Sequence, residues 1–264
     1  MGAQPIALIT GASAGIGADL ARVFAEHGHE LVLVARREDR LEALATEVAA
    51  SGRRRPIVLA LDLGRRDAAA RITAELKARD LEPAVVVNNA GFGLAGSAAA
   101  LDRDEQLAMI DLNVRVLTEL SLAFIDSLAR HHGGILNVAS VAAFVPGPGM
   151  AVYYASKAYV LSFSEALHRE LRSRGIRVTA LCPGPVPTEF QARAGQRPGG
   201  GGGGQQLLSL PARCVAEIGY HGFMRGKRVV VAGAANRIAV GLLRLLPNAL
   251  LLPIIDRRMR DTQR

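Results

Sequence analysis

The chain of 264 residues contains little of several residue types. It has no tryptophan, aromatic residues make up 4% of it, and its two cysteines are Cys182 and Cys214. So few aromatic rings argue against a platform on which single-stranded nucleic acid stacks its bases. Two cysteines cannot build a disulfide framework, so we expect a reducing compartment, the cytoplasm. No charged segment precedes the first apolar run, so we expect no targeting signal.

Lysine is also scarce, because only Lys77, Lys157 and Lys227 occur among 32 basic residues. Against 24 acidic residues the net charge is +8, a balance that generally suggests nucleic acid or an anionic membrane as partner. The excess is local: residues 225–264 contain nine basic and two acidic residues, and residues 1–224 contain 23 and 22. We therefore expect no nucleic-acid partner and a basic C-terminal tail on a nearly neutral body.

Short apolar runs alternate with segments of helical periodicity along the chain. The predicted strands are Ile6–Thr10, Glu30–Ala35, Ile57–Asp62, Ala84–Asn88, Gly134–Ala139, Ile176–Cys182 and Arg228–Val231. The predicted helices are Ile16–His27, Arg37–Ser51, Asp67–Asp80, Arg103–His131 and Tyr153–Arg174. Continuous apolar runs are typical of parallel strands buried on both faces. The pattern predicts one α/β domain, a doubly wound parallel sheet of about seven strands with helices on both faces.

Two regions break the alternation. The segment 184–210 contains prolines and the run Gly199–Gly204, and it is interpreted as a flexible loop beside the site or as an insertion without function. The tail, residues 236–264, is basic and rich in leucine. Arg244, Pro247 and Pro253 interrupt its apolar stretch, which argues against a transmembrane span. We expect it to pack against a subunit or to contact anionic lipid peripherally.

A glycine-rich turn, Thr10–Gly17, joins the first predicted strand to the first helix. Glycines let the backbone approach a pyrophosphate closely, and the helix start offers free N–H groups to it. The second strand ends in Ala35 without an acidic residue, and Arg36 and Arg37 follow. Arg36 is placed to pair with a 2′-phosphate, which favours NADP(H) over NAD(H). Arg37 is interpreted as the solvated start of a helix.

Three polar residues suggest a reaction centre. Ser140 ends the fifth predicted strand, and Tyr153 and Lys157 are four residues apart, on one face of the next helix. A tyrosine is a poor base at neutral pH, and a nearby ammonium stabilises the phenolate. Retaining a lysine in an arginine-rich chain suggests a need for a compact ammonium. Tyr154 and Tyr159 are interpreted as packing residues.

With these motifs the chain resembles a member of the short-chain dehydrogenase/reductase family, in its single-domain branch, with a Rossmann-type fold. The resemblance covers roughly residues 5–190. The residues that carry it, in family order, are Thr10–Gly17, Asp62, Asn88-Asn89-Ala90-Gly91, Asn113, Ser140, Tyr153, Lys157 and Pro183-Gly184.

The resemblance implies a role for each matching residue. Tyr153 is the general acid and base, Ser140 holds the substrate oxygen, and Lys157 binds ribose and lowers the pKa of Tyr153. Asn113 holds a water that relays protons to Lys157. Asp62 contacts adenine, the Asn89–Gly91 backbone lines the ribose, Val186 binds the nicotinamide amide and Thr188 lies near the phosphates. The full cofactor set is Gly11, Ser13, Gly15, Ile16, Gly17, Arg36, Asp62, Asn89, Ala90, Gly91, Tyr153, Lys157, Val186 and Thr188.

The substrate is expected to be an apolar ketone or a 3-oxoacyl compound. Phe92, Leu94, Phe144, Val145, Met150 and Phe190 lie on segments that line the substrate pocket in relatives. No spacing of cysteine and histidine supports a metal site. The tail replaces the ending on which many members build a tetramer, so a homodimer through Arg103–His131 and Tyr153–Arg174 is expected, and tetramerisation is in doubt.

Three other classes of protein fit the sequence less well. A non-catalytic NADP-binding sensor on the same fold usually loses the tyrosine or the lysine, and this chain keeps both. An epimerase or dehydratase of the extended type is longer and has a differently spaced glycine turn. A role driven by charge alone, on nucleic acid or membrane, does not explain the motifs.

Overall fold

The computed structural model describes residues 3–195 and 208–263. Seven strands form one sheet: β1 Gln4–Thr10, β2 Leu31–Ala35, β3 Ile57–Ala60, β4 Leu81–Asn88, β5 Gly134–Val138, β6 Arg177–Cys182 and β7 Val229–Val231. Their order is β3-β2-β1-β4-β5-β6-β7, and every neighbouring pair is parallel. The predicted doubly wound fold is confirmed. The order reverses between β1 and β4, where the carboxyl ends of the strands leave a crevice for a ligand.

The helices that precede the fifth strand are α1 Gly15–Glu26, α2 Glu38–Ala50, α3 Ala68–Ala78, α4 Arg103–Ile110, α5 Leu117–Ala123 and α6 Ile125–Arg130. Those that follow it are α7 Ala151–Glu170, α8 Glu189–Arg193, α9 Ala212–Met224, α10 Ala234–Leu243 and α11 Asn248–Gln263. A π-helical turn spans Asp111–Val116, and 3-10 turns span Val141–Phe144 and Leu171–Arg174.

Both faces of the sheet are buried. Within β1, Ala7 and Ile9 join one hydrophobic core while Ile6 and Leu8 join another. Side chains of α1, α2 and α9 complete the first core, and side chains of α3, α5, α6 and α7 complete the second. The continuous apolar runs of the strands follow from this arrangement, because neither face of a central strand meets water.

The predicted continuous helix Arg103–His131 is wrong. The chain forms α4, then the π-helical turn, then α5, and Phe124 (φ −113°, ψ 13°) separates α5 from α6. The π turn holds Asn113, which is fully buried. A π turn inserts one residue into the helical repeat, and such insertions are frequent at functional sites. Apolar periodicity continues through such a turn, so the pattern does not reveal it.

The C-terminal tail folds into α10 and α11, with Pro253 inside α11. The helix α11 continues through Pro253. Among the described residues, no helix combines the length and apolar character needed to cross a bilayer. The segment predicted as a loop contains the short helix α8, and residues 196–207, with the glycine run, lie outside the described residues.

Candidate active site

The glycine turn after β1 forms as the sequence predicts. Gly11 and Gly15 adopt positive φ values of 66° and 55°, which favour glycine. A Cβ at Gly17 would lie 2.3 Å from the Gly11 carbonyl oxygen, so only glycine fits there. Ala14 is the N-cap residue of α1, and its side chain accepts no hydrogen bond from the helix. The first N–H groups of α1 are therefore free to meet an anion.

Thr10 and Asn89 hold this turn against the end of β4. The Thr10 hydroxyl accepts the N–H groups of Asn89 and Ala90 at 3.0 and 3.1 Å. The Asn89 side chain donates to the carbonyl oxygens of Thr10 and Gly11 at 3.0 and 3.2 Å. The ends of β1 and β4 are thereby tied together at the crevice.

A cavity of about 840 Å³ occupies the crevice. Most of the predicted site residues line it: Gly11, Ser13, Gly15, Ile16, Arg36, Asp62, Asn89, Ala90, Gly91, Ser140, Tyr153, Lys157, Val186 and Thr188. Gly17 and Asn113 do not. Gly17 lies behind the turn, where its missing side chain allows close backbone packing, so its predicted direct contact with cofactor is not supported.

Ser140, Tyr153 and Lys157 meet in this cavity. Tyr153 is half-buried, and Ser140 hydrogen-bonds to it. Burial raises the pKa of Tyr153 to about 12, and the Ser140 bond opposes that rise. A phenol with this pKa is protonated near neutral pH, the state that can donate a proton.

Lys157 is almost fully buried below Tyr153. Its ammonium lies 5.9 Å from the Tyr153 ring centroid and donates to the Val138 carbonyl oxygen at 2.9 Å. Burial lowers the pKa of Lys157 to about 8. Desolvation of the phenol outweighs the opposing hydrogen bond from Ser140. The lowering of the Tyr153 pKa by Lys157, helped by a cationic nicotinamide, stays a prediction.

Asn113 lies behind the cavity wall. Its side chain accepts the Phe92 N–H at 3.1 Å and donates to the Phe92 carbonyl at 2.9 Å and to Ser156 Oγ at 3.1 Å. A Cβ at Gly91 would come within 2.8 Å of Asn113 Oδ1. Asn113 therefore positions the Gly91–Phe92 segment, and its relay of protons stays a prediction.

Arg36 lies at the cavity, where the sequence predicts it, and Arg37 makes contacts that the sequence does not indicate. Arg36 is exposed at the cavity and forms no ion pair with the described residues. Arg37 donates to Ser13 Oγ at 3.2 Å and to Glu189 Oε2 at 2.7 Å. Arg37 is the exposed N-cap residue of α2, as interpreted, and it also links the glycine turn to the start of α8. Glu189 was missed, because its partner lies 152 positions away in the sequence.

The remaining cofactor candidates lie at the two ends of the crevice. Asp62 lines it, and its carboxylate accepts the Gly64 N–H at 3.0 Å. Thr188 begins α8 and lies close to Gly15, where a Cβ would be 3.0 Å from the threonine methyl. Thr188 thus lies over the glycine turn, as its predicted place near phosphates requires.

Four of the six predicted pocket residues line the cavity: Phe92, Val145, Met150 and Phe190. Leu94 does not, because it is buried against Phe92 and Met109. Phe144 lies in a neighbouring groove, where the Arg244 guanidinium is 5.8 Å from its ring centroid. Side chains of the C-terminal tail line the cavity instead, which the sequence did not indicate.

Within the described residues, no group of three or more histidine, cysteine or acidic side chains is arranged to hold a metal ion. The Ser140 and Tyr153 hydroxyls lie together in the cavity. Such a pair can hold one oxygen atom of a substrate and supply it with a proton.

A family model described as short chain dehydrogenase matches residues 5–199. The chain is similar to sulfoacetaldehyde reductase 2 of Chromohalobacter salexigens, with 38% identity over 218 residues, 81% of this chain and 86% of that protein. Helices α9 to α11 lie beyond the matched family segment.

Two solved structures share the fold along nearly the whole chain. One is a short-chain dehydrogenase from Sphingobium yanoikuyae in complex with NADPH, with a TM-score of 0.77, 34% identity and coverage of 94% of this chain and 95% of that one. The other is the bulky-bulky ketone specific alcohol dehydrogenase from Comamonas testosteroni, with a TM-score of 0.74, 30% identity and coverage of 94% of both chains.

Proposed function

Because the chain belongs to the short-chain dehydrogenase family of oxidoreductases, we propose that it is an NADP(H)-dependent carbonyl reductase. It exchanges a hydride between the nicotinamide and a carbonyl compound or its secondary alcohol. One observation carries the proposal: the Ser140 and Tyr153 hydroxyls and the Lys157 ammonium share one cavity with a glycine turn suited to phosphates.

The shape of the crevice fits a dinucleotide. Gly11, Gly15 and Gly91 line it, and a Cβ at Gly11 or Gly91 would come within 2.8 Å of a neighbouring atom. Close packing within the protein therefore requires glycine at both positions. The turn leads into the start of α1, whose free N–H groups suit a pyrophosphate. The nicotinamide, when bound, supplies or accepts the hydride.

The side chains handle the substrate oxygen and its proton. The Tyr153 hydroxyl donates a proton to that oxygen during reduction, and Ser140 steadies the developing charge by a hydrogen bond. The raised pKa of Tyr153 keeps this proton available near neutral pH. Lys157 holds the ribose beside them and anchors itself on Val138.

The choice of NADP(H) over NAD(H) rests on Arg36. Its guanidinium is exposed at the cavity and unpaired within the described part of the chain, so it is available to a 2′-phosphate. The similar protein from Sphingobium yanoikuyae was solved in complex with NADPH.

Turnover is measured with a panel of ketones, as the loss of the absorbance of NADPH. Tyr153→Phe should lower kcat by about 1,000-fold, because general acid catalysis contributes 10²–10⁴-fold. Tyr159→Phe is the matched control, since Tyr159 lies on the same helix, is 39% exposed and bonds to Thr118. Equal rates for wild type and Tyr153→Phe would reject the mechanism. They would favour the alternative of a non-catalytic NADP-binding sensor.

A short anionic aldehyde is the second candidate substrate. Arg193 lines the cavity, and its guanidinium lies 4.8 Å from the Phe92 ring centroid. This cation could receive a sulfonate or carboxylate, and the similar protein from Chromohalobacter salexigens is named a sulfoacetaldehyde reductase. Turnover of sulfoacetaldehyde and of the ketones is compared for wild type and Arg193→Gln. Loss of turnover for sulfoacetaldehyde alone in the variant would favour the anionic aldehyde.

We propose a homodimer as the assembly. Large apolar side chains are exposed on α4, α5 and α7, namely Leu107 (51%), Ile110 (42%), Leu122 (48%) and Tyr159 (39%). A second copy of the chain would cover them around a two-fold axis. Sedimentation at the monomer mass would reject this assembly.

The tail presents a second exposed apolar surface, made by Ile238, Leu242, Leu245, Leu246 and Leu250 and called here the tail surface. Arg237 and Arg244 lie beside it and form no ion pair with the described residues. Because leucines flanked by cations suit an anionic lipid surface, we propose peripheral contact with such lipids. Cys182 and Cys214 are unpaired, which supports a cytoplasmic location.

A further inference from the structure

A second cavity lies beside the crevice, between α7, β7 and α10, and its volume is about 440 Å³. Arginines stand at its rim, so it is called here the basic groove. Its floor is apolar and consists of Ala143, Phe144, Leu161, Val229, Val231 and Val240. The hydroxyls and the ammonium of the reaction centre line the crevice and not this groove. The basic groove is therefore a separate candidate for a ligand site.

The rim of the basic groove carries a net positive charge. Arg228 is paired with Glu165 at 3.0 Å. Arg237 and Arg244 are exposed at the rim and form no ion pair within the described part of the chain. Arg244 lies over the floor, since its guanidinium is 5.8 Å from the Phe144 ring centroid. Two guanidinium groups can thus receive an anion at the edge of an apolar surface.

One side of α10 faces the groove. Arg237, Val240, Gly241 and Arg244 are spaced by three or four residues, so they form one stripe. Gly241 lies inside the helix, where glycine costs about 1 kcal/mol relative to alanine. A Cβ at Gly241 would meet no atom within 4 Å, so packing in the described chain does not require glycine there. The bare backbone instead leaves space between the two arginines.

We propose that the basic groove binds a medium-chain fatty acid through its carboxylate and its hydrocarbon chain. Seven residues of helix span about 10.5 Å, so the long side chains of Arg237 and Arg244 can both reach one carboxylate above Gly241. The hydrocarbon chain crosses the apolar floor towards β7. A small polar anion would leave that floor uncovered, and a cation would meet charges of its own sign. This site does not depend on the proposed reductase function.

The basic groove shares two walls with the reaction site. Val240 lines both the groove and the crevice. Phe144 ends the 3-10 turn that begins directly after Ser140. A fatty acid in the groove therefore contacts two elements that border the crevice, while its carboxylate stays outside it.

Calorimetric titration of the full chain with decanoate, below the concentration at which decanoate forms micelles, tests the space in the groove. Gly241→Leu puts a side chain into the groove and favours the helix, so it should weaken binding at least tenfold without loss of thermal stability. Ala235→Leu is the matched control, because Ala235 is exposed on the same helix and does not line the groove. Its Kd should equal that of wild type within about twofold.

A second pair of variants tests the charge. Arg237→Gln/Arg244→Gln should weaken the binding of decanoate at least tenfold, because two charge-assisted hydrogen bonds are lost. Arg225→Gln/Arg257→Gln removes the same charge from exposed positions of the tail outside the groove. This control should bind decanoate within about twofold of wild type.

Altered ligands separate the contributions of chain and carboxylate in the wild-type protein. Hexanoate is four methylene groups shorter and should bind at least tenfold more weakly than decanoate. Decyltrimethylammonium has the same chain length and the opposite charge, and it should not bind measurably. The site is refuted if wild type does not bind decanoate, or if Gly241→Leu or Arg237→Gln/Arg244→Gln binds it as wild type does. Equal affinity for decanoate and hexanoate, or for decyltrimethylammonium, would also refute it.

Discussion

Lys157→Met is predicted to stabilise the fold near neutral pH while it removes a group that the proposed reaction needs. Lys157 is 5% exposed, and burial lowers its pKa from 10.5 to about 8. In the unfolded chain the ammonium is hydrated and keeps its ordinary pKa. Because the folded state holds the proton more weakly, stability falls as pH drops from the unfolded pKa to the folded one, and the full penalty applies below pH 8.

The size of the effect follows from these two pKa values. Their difference corresponds to about 3 kcal/mol at pH 7. Methionine also loses the bond to the Val138 carbonyl, which contributes about 1 kcal/mol. The variant should therefore be about 2 kcal/mol more stable at pH 7. At pH 9.5 the folded lysine is neutral, so the penalty shrinks to about 1 kcal/mol and the advantage nearly vanishes.

Urea denaturation of wild type and variant at pH 7 and pH 9.5 measures this difference. Titrating groups that do not interact with Lys157 cancel in the comparison, and Cys182, which does interact with it, is replaced by alanine in both proteins. Lys77→Met is the control, because Lys77 is exposed on α3 and its replacement should change stability little at either pH. A variant of Lys157 that is less stable at pH 7, or a difference that does not change with pH, would refute the reasoning.

Two further predictions concern the selection of the cofactor and the binding of lipid by the tail surface. Arg36→Gln should raise the Kd for NADPH about tenfold in calorimetry, through loss of a charge-assisted bond, and leave the Kd for NADH within about twofold. An equal loss of affinity for both nucleotides would show that Arg36 does not select the cofactor. Flotation with vesicles containing anionic phosphatidylglycerol should capture wild type more than Leu242→Gln/Leu245→Gln, and vesicles of phosphatidylcholine alone should capture little. Equal capture of wild type and variant would leave the tail surface without a lipid role.

The fold and the clustering of Ser140, Tyr153 and Lys157 could be predicted because their signals are local. Continuous apolar runs indicate strands buried on both faces, and all seven predicted strands are present. The glycine turn lies within one strand–helix junction, and Tyr153 and Lys157 are one helical turn apart. Each of these patterns needs only a few neighbouring residues to be visible.

The features that were missed depend on contacts between distant parts of the chain. Arg37 pairs with Glu189 across the crevice, and nothing in either neighbourhood indicates the partner. The π turn at Asn113 is set by its bonds to Phe92, 21 positions away. Leu250 and Leu251 are chemically identical, and only the packed orientation of α11 decides which one enters the cavity.

Transfer of deuteride tests the proposed chemistry most directly. Purified wild type is incubated with NADPH carrying deuterium at the transferable position and with a ketone that it reduces, and the alcohol is analysed by mass spectrometry and NMR. We expect one deuterium on the carbinol carbon with wild type and with Tyr159→Phe, and almost none with Tyr153→Phe. Alcohol without deuterium, or equal labelling by the Tyr153→Phe variant, would contradict a reductase built on Ser140, Tyr153 and Lys157.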